Sequence, residues 1–354
     1  MTAEKRGEKT YFAASNSARG FVNYFPDIFG TERCDVLFVI KGGPGTGKSS
    51  FLRRVAEHAE ANGLSVIRYL CSSDPTSLDG IYIAERRMGF LDGTAPHAWE
   101  PTAIGTFEQL IDLGAFWDRN ALRQKRGDIE RYAEEKKACY RRAYGYLAAY
   151  GSVCEAMTSE MIGAVDQEKL YRACERVLER YGEGRDVCAK TEIGLCDSFG
   201  MNGRKRLDTY ERATNSHVLV RDEAGIAHLF FAKLLSLCRA RGLSVRVSYH
   251  PILSDRIDAL ELIGNGVSFS IAEGGEEDDV FNMRRFLKRD AYRNVRGGIK
   301  TAKGICESIL TCAEAQMSLA RTAHFALETL FGTAMDFPAK ESYEQKFCAN
   351  LFGG

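Results

Sequence analysis

Residues 36–49 read VLFVIKGGPGTGKS. The first five are apolar and rich in β-branched side chains, which is typical of a strand buried on both faces of a parallel sheet. A glycine-rich turn follows, and apolar residues then recur at helical spacing from Phe51 to Ala59. Gly63 suits the left-handed position at which a helix ends. The stretch therefore predicts a buried strand, a tight loop and a helix, in that order.

The loop satisfies the pattern G-x-x-x-x-G-K-[ST]. Glycines let backbone N–H groups curl around phosphate oxygens, and the helix N-terminus adds a positive dipole. Lys48 is expected to reach the β- and γ-phosphates, while the hydroxyl of Ser49 completes the shell of a Mg²⁺ ion. The sequence thus predicts a site for ATP and Mg²⁺ made by Gly42, Gly43, Pro44, Gly45, Thr46, Gly47, Lys48, Ser49 and Ser50.

A magnesium site in such a fold usually includes an acidic residue at the tip of a neighbouring strand. Asp92 ends the apolar run at 88–91 and is the first candidate, although an aspartate before glycine also suits an ordinary turn. Asp74 and Asp79 follow the second predicted strand at the same edge and are candidates for a substrate or metal role. His97 is a candidate base, but a hydrogen-bonded turn histidine is the simpler interpretation.

The rest of the chain alternates strand-like and helical stretches. Further strands are predicted at 65–70, 88–91 and about 191–196, and helices at 107–114, about 116–150 and about 153–181. The last two helices form a predicted hairpin that turns near Gly151 and Ser152. Strand, helix and strand with short connections indicate a doubly wound α/β sheet.

The second half of the sequence repeats the first. FWDRNALRQKRGDI from Phe116 aligns without gaps with FLKRDAYRNVRGGI from Phe286, and seven of the fourteen positions are identical. A match of this density predicts an internal duplication. We therefore expect tandem P-loop NTPase domains at 1–185 and 186–354, each a three-layer α/β unit with a parallel sheet and a long helical extension.

Four segments resemble a family of uncharacterised bacterial ATPases built from two tandem P-loop domains: GGPGTGKSS, CSSDPTSLDGIYIAE, LDGTAPH and LGAFWD. The resemblance covers essentially the whole chain and implies ATP binding and hydrolysis, with no established substrate. The second half departs from the family's pattern, because RDEAGIAHLF stands at 221–230. His228 replaces the lysine, Leu229 replaces the serine, and Asp222 and Glu223 bring negative charge to the phosphate position. This second site is expected not to hold a nucleotide in the usual way.

Two helical stretches are rich in arginine and lysine. One face of a predicted helix carries Arg119, Arg123 and Arg126, and the same face recurs in the second half from Arg289 onwards. Three interpretations stay open: a solvated face with local pairing, an arginine lid that closes over the triphosphate, and contact with nucleic-acid phosphates. The acidic run at 273–279 is most simply a solvated loop.

Composition narrows the class of protein. Lys plus Arg and Asp plus Glu number 48 each, so the net charge gives no argument for nucleic acid or an anionic membrane. The eleven cysteines are scattered without a C-x-x-C pair, which favours reduced thiols in the cytoplasm. No apolar run approaches the ~18 residues of a membrane span, and we expect no membrane association.

The sequence therefore predicts a cytoplasmic, Mg²⁺-dependent ATPase with one competent half and one degenerate half. ATP is expected rather than GTP because the chain has no Asn-Lys-x-Asp segment. Asp92 is followed by glycine and not by the glutamate that polarises water in many ATPases, so hydrolysis has no assigned base. A small-molecule or nucleoside kinase is one alternative. A nucleotide-dependent switch, whose helices recruit a protein partner, is another.

Overall fold

A computed structural model describes residues 9–96, 99–272 and 280–353. The elements of the first half, in chain order, are β1 (Lys9–Phe12), β2 (Ala14–Ser17), β3 (Gly20–Asn23), α1 (Phe25–Phe29), β4 (Val36–Lys41), α2 (Lys48–Ala61), β5 (Val66–Leu70), β6 (Leu78–Ile83), β7 (Met88–Asp92), β8 (Glu108–Asp112), α3 (Arg119–Gln124), α4 (Arg126–Ile162) and α5 (Gln167–Tyr181).

The elements of the second half are β9 (Thr191–Ile193), β10 (Asp197–Gly200), β11 (Gly203–Arg206), α6 (Thr209–Arg212), β12 (Ser216–Arg221), α7 (Ala227–Arg241), β13 (Val245–Tyr249), β14 (Ile257–Leu262), β15 (Val267–Ile271), β16 (Val280–Asn282), α8 (Arg289–Gly332) and α9 (Phe337–Phe352). Short 3₁₀ turns at Leu113–Phe116 and Met283–Phe286 follow β8 and β16.

Two six-stranded sheets have the same strand order. The first runs β1-β5-β6-β7-β4-β8 and the second β9-β13-β14-β15-β12-β16. Most neighbours are parallel, but β6 and β14 run antiparallel to both of their neighbours. The predicted all-parallel sheet is therefore corrected to a mixed one. β6 was not predicted, because Asp79-Gly80 resembles a turn in the sequence. All six residues of this strand are nevertheless buried.

The strand and helix around the glycine-rich loop are confirmed. β4 is buried on both faces: Phe38 and Ile40 pack with α2 and α9, while Leu37 and Val39 pack with α1. Such two-sided burial is what a run of consecutive apolar residues provides in a layered α/β fold. The end of α2 is also as predicted, since Gly63 has a φ of +74°.

Two helix predictions are wrong. Residues 107–114 form β8 and part of a 3₁₀ turn instead of a helix. The predicted hairpin turn at Gly151 and Ser152 is also absent, because α4 continues through both residues to Ile162. Gly151 allows α4 to pack closely against Ala18, because a Cβ at this glycine would lie 2.7 Å from the Cβ of Ala18. The chain turns later, and Asp166 caps α5 by accepting a hydrogen bond from the Lys169 amide.

The two halves exchange helices. α4 packs along α8 of the other half, so 116–181 is not a hairpin whose helices pack together. α5 completes the apolar core of the second sheet, and α9 completes the core of the first. The crossing points are reciprocal: the Asp118 amide donates to the Ala334 carbonyl, and the Lys288 amide donates to the Ala164 carbonyl, both at 2.8 Å. The predicted boundary at 185 separates the two sheets in sequence, but helix packing crosses it.

This topology positions one edge of the first sheet. The parallel strands β4 and β7 end side by side, and the antiparallel β6 begins at the same edge. In open α/β sheets, ligands bind outside the carboxyl ends of the strands. Across the described ranges, no helix is both long enough and apolar enough to cross a membrane.

Candidate functional site

The glycine-rich loop joins the end of β4 to the start of α2. Gly45 and Gly47 adopt left-handed backbone angles, with φ of +70° and +79°. Gly45 also lies directly under α8, because a Cβ at this position would stand 2.4 Å from the Glu328 carbonyl oxygen. A side chain at Gly45 would be excluded on both grounds. The second half thus packs directly against the loop that the sequence predicted to hold phosphates.

Lys48 is held over this loop. Its Nζ donates to the carbonyl oxygens of Gly42 and Gly43 at 2.8 and 2.9 Å. The same amine lies 3.5 Å from Oδ2 of Asp92, and both side chains are nearly buried, at 12% and 13% exposure. The amine of Lys48, at the start of α2, and the carboxylate of Asp92, at the end of β7, therefore meet at the sheet edge.

The two predicted metal ligands are each held by a backbone amide. Ser49 Oγ accepts a hydrogen bond from the Leu78 amide at 2.9 Å, which fixes the hydroxyl at the start of β6. Asp92 Oδ1 accepts from the Thr94 amide at 2.8 Å. Among the residues that the structure describes, no group of three or more His, Cys, Asp or Glu side chains forms a metal site. Mg²⁺ usually keeps several waters and takes one or two protein carboxylates, so a serine and an aspartate suit it.

The other loop residues brace the turn. Thr46 is buried, and its Oγ1 donates to the Gly43 carbonyl at 2.9 Å. Ser50 Oγ donates to the Gly47 carbonyl at 2.8 Å. Gly43 packs against the Trp117 ring, and Pro44 lines the adjoining cavity.

A cavity of about 610 Å³ opens beside the loop. Asp74, Asp79, Asp92 and Lys48 all line it, so the structure brings the main acidic candidates together with the lysine. Asp74 also accepts hydrogen bonds from the hydroxyls of Thr76 and Ser77, which makes it part of a turn. His97 lies outside the described residues.

The long helices also line the cavity, and among their residues the sequence analysis did not identify Lys136 on α4 or His324 and Glu328 on α8. Burial lowers the pKa of Lys136, and the nearby positive charge of Lys48 acts in the same direction. His324 Nε2 lies 3.5 Å from Glu328 Oε1. The only sequence signal was the basic run that contains Lys136, and the misplaced helix boundaries hid which of its residues face the sheet.

The three arginines of the predicted helix face lie outside the cavity. None of Arg119, Arg123 and Arg126 lines the described cavity, and all three are exposed. Arg123 donates to the side chain of Asn120, and Arg126 pairs with Glu130 at 2.6 Å. One reason is that α3 ends at Gln124 and α4 begins only at Arg126, so no single helix carries the three. The structure supports local pairing on a solvated face, and contact with nucleic acid stays a prediction.

A buried ionic cluster adjoins the other side of the loop. Lys340 on α9 pairs with Glu344, and Arg54 on α2 approaches the same carboxylate at 3.1 Å. Lys340 and Glu344 are 2% and 1% exposed. The Lys340 amine also donates to Ser50 Oγ at 3.2 Å. Charged groups that are buried this deeply need such partners, since burying an unpaired charge costs several kcal/mol.

The corresponding loop of the second half differs in chemistry. Asp222 accepts hydrogen bonds from the amides of Ile226 and Ala227, at 2.9 and 2.7 Å, so its own carboxylate occupies the start of α7. Burial lowers the pKa of His228, which stands in the place of Lys48. By strand register, Ile271 replaces Asp92. The acidic run at 273–279 lies outside the described residues.

Comparison with known proteins adds nothing to this geometry. No protein-family model, no curated protein and no solved structure matches the chain. The resemblance to tandem P-loop ATPases therefore stays a prediction that rests on the four quoted segments.

Proposed function

We propose that the chain is a P-loop nucleoside triphosphatase that binds and hydrolyses ATP, with Mg²⁺, at the loop of residues 42–49. The observation that carries this proposal is the position of the Lys48 amine. It bridges two carbonyls of its own loop and lies 3.5 Å from Asp92 at the end of the adjacent parallel strand. This is the arrangement of groups that a triphosphate and its metal require.

When ATP binds, the Lys48 amine exchanges one set of oxygen acceptors for another. When phosphate oxygens enter, the Lys48 amine leaves the Gly42 and Gly43 carbonyls for them, and the α2 N-terminus adds its free N–H groups. Mg²⁺, held by Ser49 and Asp92, supplies positive charge that stabilises phosphoryl transfer. Lys136 contributes a second amine from the opposite wall of the cavity, in the charge-stabilising role that the arginines were predicted to fill.

The test is MgATP affinity, measured by calorimetry. Lys48→Ala removes a charge-assisted contact that is typically about 1.5–3 kcal/mol, so affinity should fall at least about tenfold. His228→Ala is the matched control, because His228 occupies the same position in the second half, and it should leave affinity unchanged. If Lys48→Ala binds MgATP as tightly as the wild-type protein, the assignment of the loop is refuted.

We also propose that the two halves derive from one duplicated P-loop unit and that only the first retains a nucleotide site. The support is the common strand order of the two sheets, the reciprocal helix crossings and the seven identities in fourteen aligned residues. In the second half, the carboxylate of Asp222 already occupies the helix N-terminus that a phosphate would use.

A kinase is the second candidate, and one observation favours it. The cavity continues from the loop past Asp79 to Tyr140 and Tyr144, well beyond the residues that a triphosphate needs. Hydrolysis requires only a water molecule there, whereas transfer to a substrate requires this additional space.

A further inference from the structure

The cavity has two ends of different character. One end consists of the loop, Asp92 and Thr94. The other consists of the β5–β6 turn, the inner face of α4 and Met201 from the β10–β11 hairpin. The total volume of about 610 Å³ lies in the range of small-molecule sites, roughly 300–1,000 Å³. The second end thus lies beyond the groups that contact the triphosphate and is open to a further ligand.

Aromatic rings dominate the second end. The rings of Tyr140 and Tyr144 line it with centroids 6.0 Å apart. Their hydroxyls are already engaged, since Tyr140 Oη lies 3.2 Å from Ser73 Oγ and Tyr144 Oη donates to Asn16 Oδ1 at 2.8 Å. The rings are thereby held in place and present apolar surface to the cavity. A planar or ring-bearing molecule suits such a surface.

Asp79 stands where the two ends meet. It is 3% exposed, lines the cavity and directly follows Leu78, whose amide donates to the proposed metal ligand Ser49. A carboxylate at this junction disfavours a second anion. It is also the type of group that accepts a proton from a reacting hydroxyl.

The turn that lines the cavity has different residues in the second half. Strand register aligns the turn after β5 with the turn after β13, where His250 and Ile252 replace Cys71 and Ser73. His250 is half-buried, and its Nδ1 accepts from the amides of Ile252 and Leu253. His250 and Ile252 thus lie where Cys71 and Ser73 line the cavity of the first half.

We propose that the aromatic end binds a phosphoryl acceptor: an uncharged or cationic ring compound of nucleoside size with a free hydroxyl group. This inference rests on the proposed function, because the donor is ATP at the loop. The acceptor hydroxyl gives its proton to Asp79 while its oxygen forms a bond to the γ-phosphorus. The bond from the γ-phosphorus to the bridging oxygen breaks, and ADP leaves with that electron pair. Asp79 then releases the proton to solvent.

The first measurement is binding without turnover. Calorimetry in EDTA, with the common ribonucleosides and deoxyribonucleosides and pyridoxine as probes, should find at least one ligand of the wild-type protein. Tyr144→Ala should weaken binding of that ligand at least about fivefold, the effect expected from the loss of one stacked ring. Tyr146→Ala is the matched control, since Tyr146 is exposed on the same helix, and should change nothing.

The second measurement is transfer of labelled γ-phosphate to the same probes. The bound probe should be recovered as its phosphate ester, and Asp79→Asn should lower the transfer rate at least about 100-fold, the usual loss for a general base. Asp258→Asn, at the equivalent position of the second half, is the control. MgATP binding and hydrolysis with no probe bound or phosphorylated would overturn the acceptor site alone. An unaltered MgATP affinity in Lys48→Ala would instead overturn the proposed function.

Discussion

The contact of α9 with α2 and the contact of α5 with α7 occupy the same place in the two halves, yet they differ in polarity. The first contains the buried cluster of Lys340, Glu344 and Arg54. The equivalent positions of the second contain Leu170, Cys174 and Leu234. The same helix contact thus contains ions beside its apolar residues in one half and only apolar residues at the equivalent positions in the other. Because the fold does not require the ions, their role belongs to the adjacent loop.

The regions beside the two loops show the same difference. Each is flanked by one residue from α4 and one from α8. In the first half these are Lys136 and His324. In the second half the aligned positions are Cys306 and Cys154, which are buried with their sulfurs 3.8 Å apart. The same arrangement of helices presents polar side chains in one half and packed cysteines in the other, so the chemistry of each region depends on its side chains and not on the fold.

The largest effect is expected from breaking the ionic cluster. Glu344→Cys leaves Lys340 as a buried cation without its carboxylate, and the half-buried Arg54 loses the same partner. The free energy of unfolding should fall by about 3–5 kcal/mol, the usual result of removing one partner of a buried ion pair. Urea denaturation measures this change.

The matched control converts the whole contact to its second-half equivalent. The triple variant Arg54→Leu, Lys340→Leu and Glu344→Cys should recover most of the lost stability, because apolar replacement of a complete buried cluster is often neutral. MgATP binding should nevertheless weaken, since Ser50 loses its contact with Lys340. A triple variant as unstable as Glu344→Cys would mean that the two contacts are not equivalent.

A smaller effect is expected from Asp258, which makes the free energy of unfolding depend on pH. Burial, with the Asp197 carboxylate nearby, raises the pKa of Asp258 from 3.8 to about 7. Between these values the folded protein keeps a proton that the unfolded chain has released, so this group makes stability fall as pH rises, by at most about 1.4 kcal/mol per pH unit. In Asp258→Asn the slope is absent. The variant should therefore gain on the wild-type protein from about pH 4 to about pH 7, and a pH-independent difference in urea denaturation would contradict this.

The smallest effect concerns the second loop. Asp222→Ala removes the carboxylate that accepts from the Ile226 and Ala227 amides, and should cost about 1 kcal/mol, as for other helix N-terminal caps. It should not create a second nucleotide site, because His228 and Leu229 still replace the lysine and serine. Calorimetry should report one MgATP per chain in both proteins. Two sites per chain in the variant would show that Asp222 alone blocks the loop.

The sequence predicted the strand before the glycine-rich loop and the helix after it, because the signals there are local. The apolar run at 36–40, the glycines and Lys48 act within a few residues of one another. Asp92 was found for the same reason, since it ends a short apolar strand. Lys136 and His324 could not be found, because they reach the cavity from helices whose packing depends on contacts far apart in sequence. Gly151 was wrongly predicted to lie in a turn, because a glycine that allows close helix packing cannot be told from a turn glycine in the sequence alone.

Because α5 and α9 each pack on the sheet of the other half, the first sheet cannot complete its core until α9 has been synthesised. Phe347 on α9 packs against Phe38, Phe51 and Phe90 of the first half, with ring centroids 5.4–6.2 Å apart. At about 5–20 residues per second, the roughly 300 residues between β4 and α9 take about 15–60 s to be made. For that time the N-terminal sheet has an uncovered aromatic face outside the ribosome. We expect nascent chains to be held by chaperones during this interval, and the N-terminal half to mature only once the helix at 337–352 has emerged.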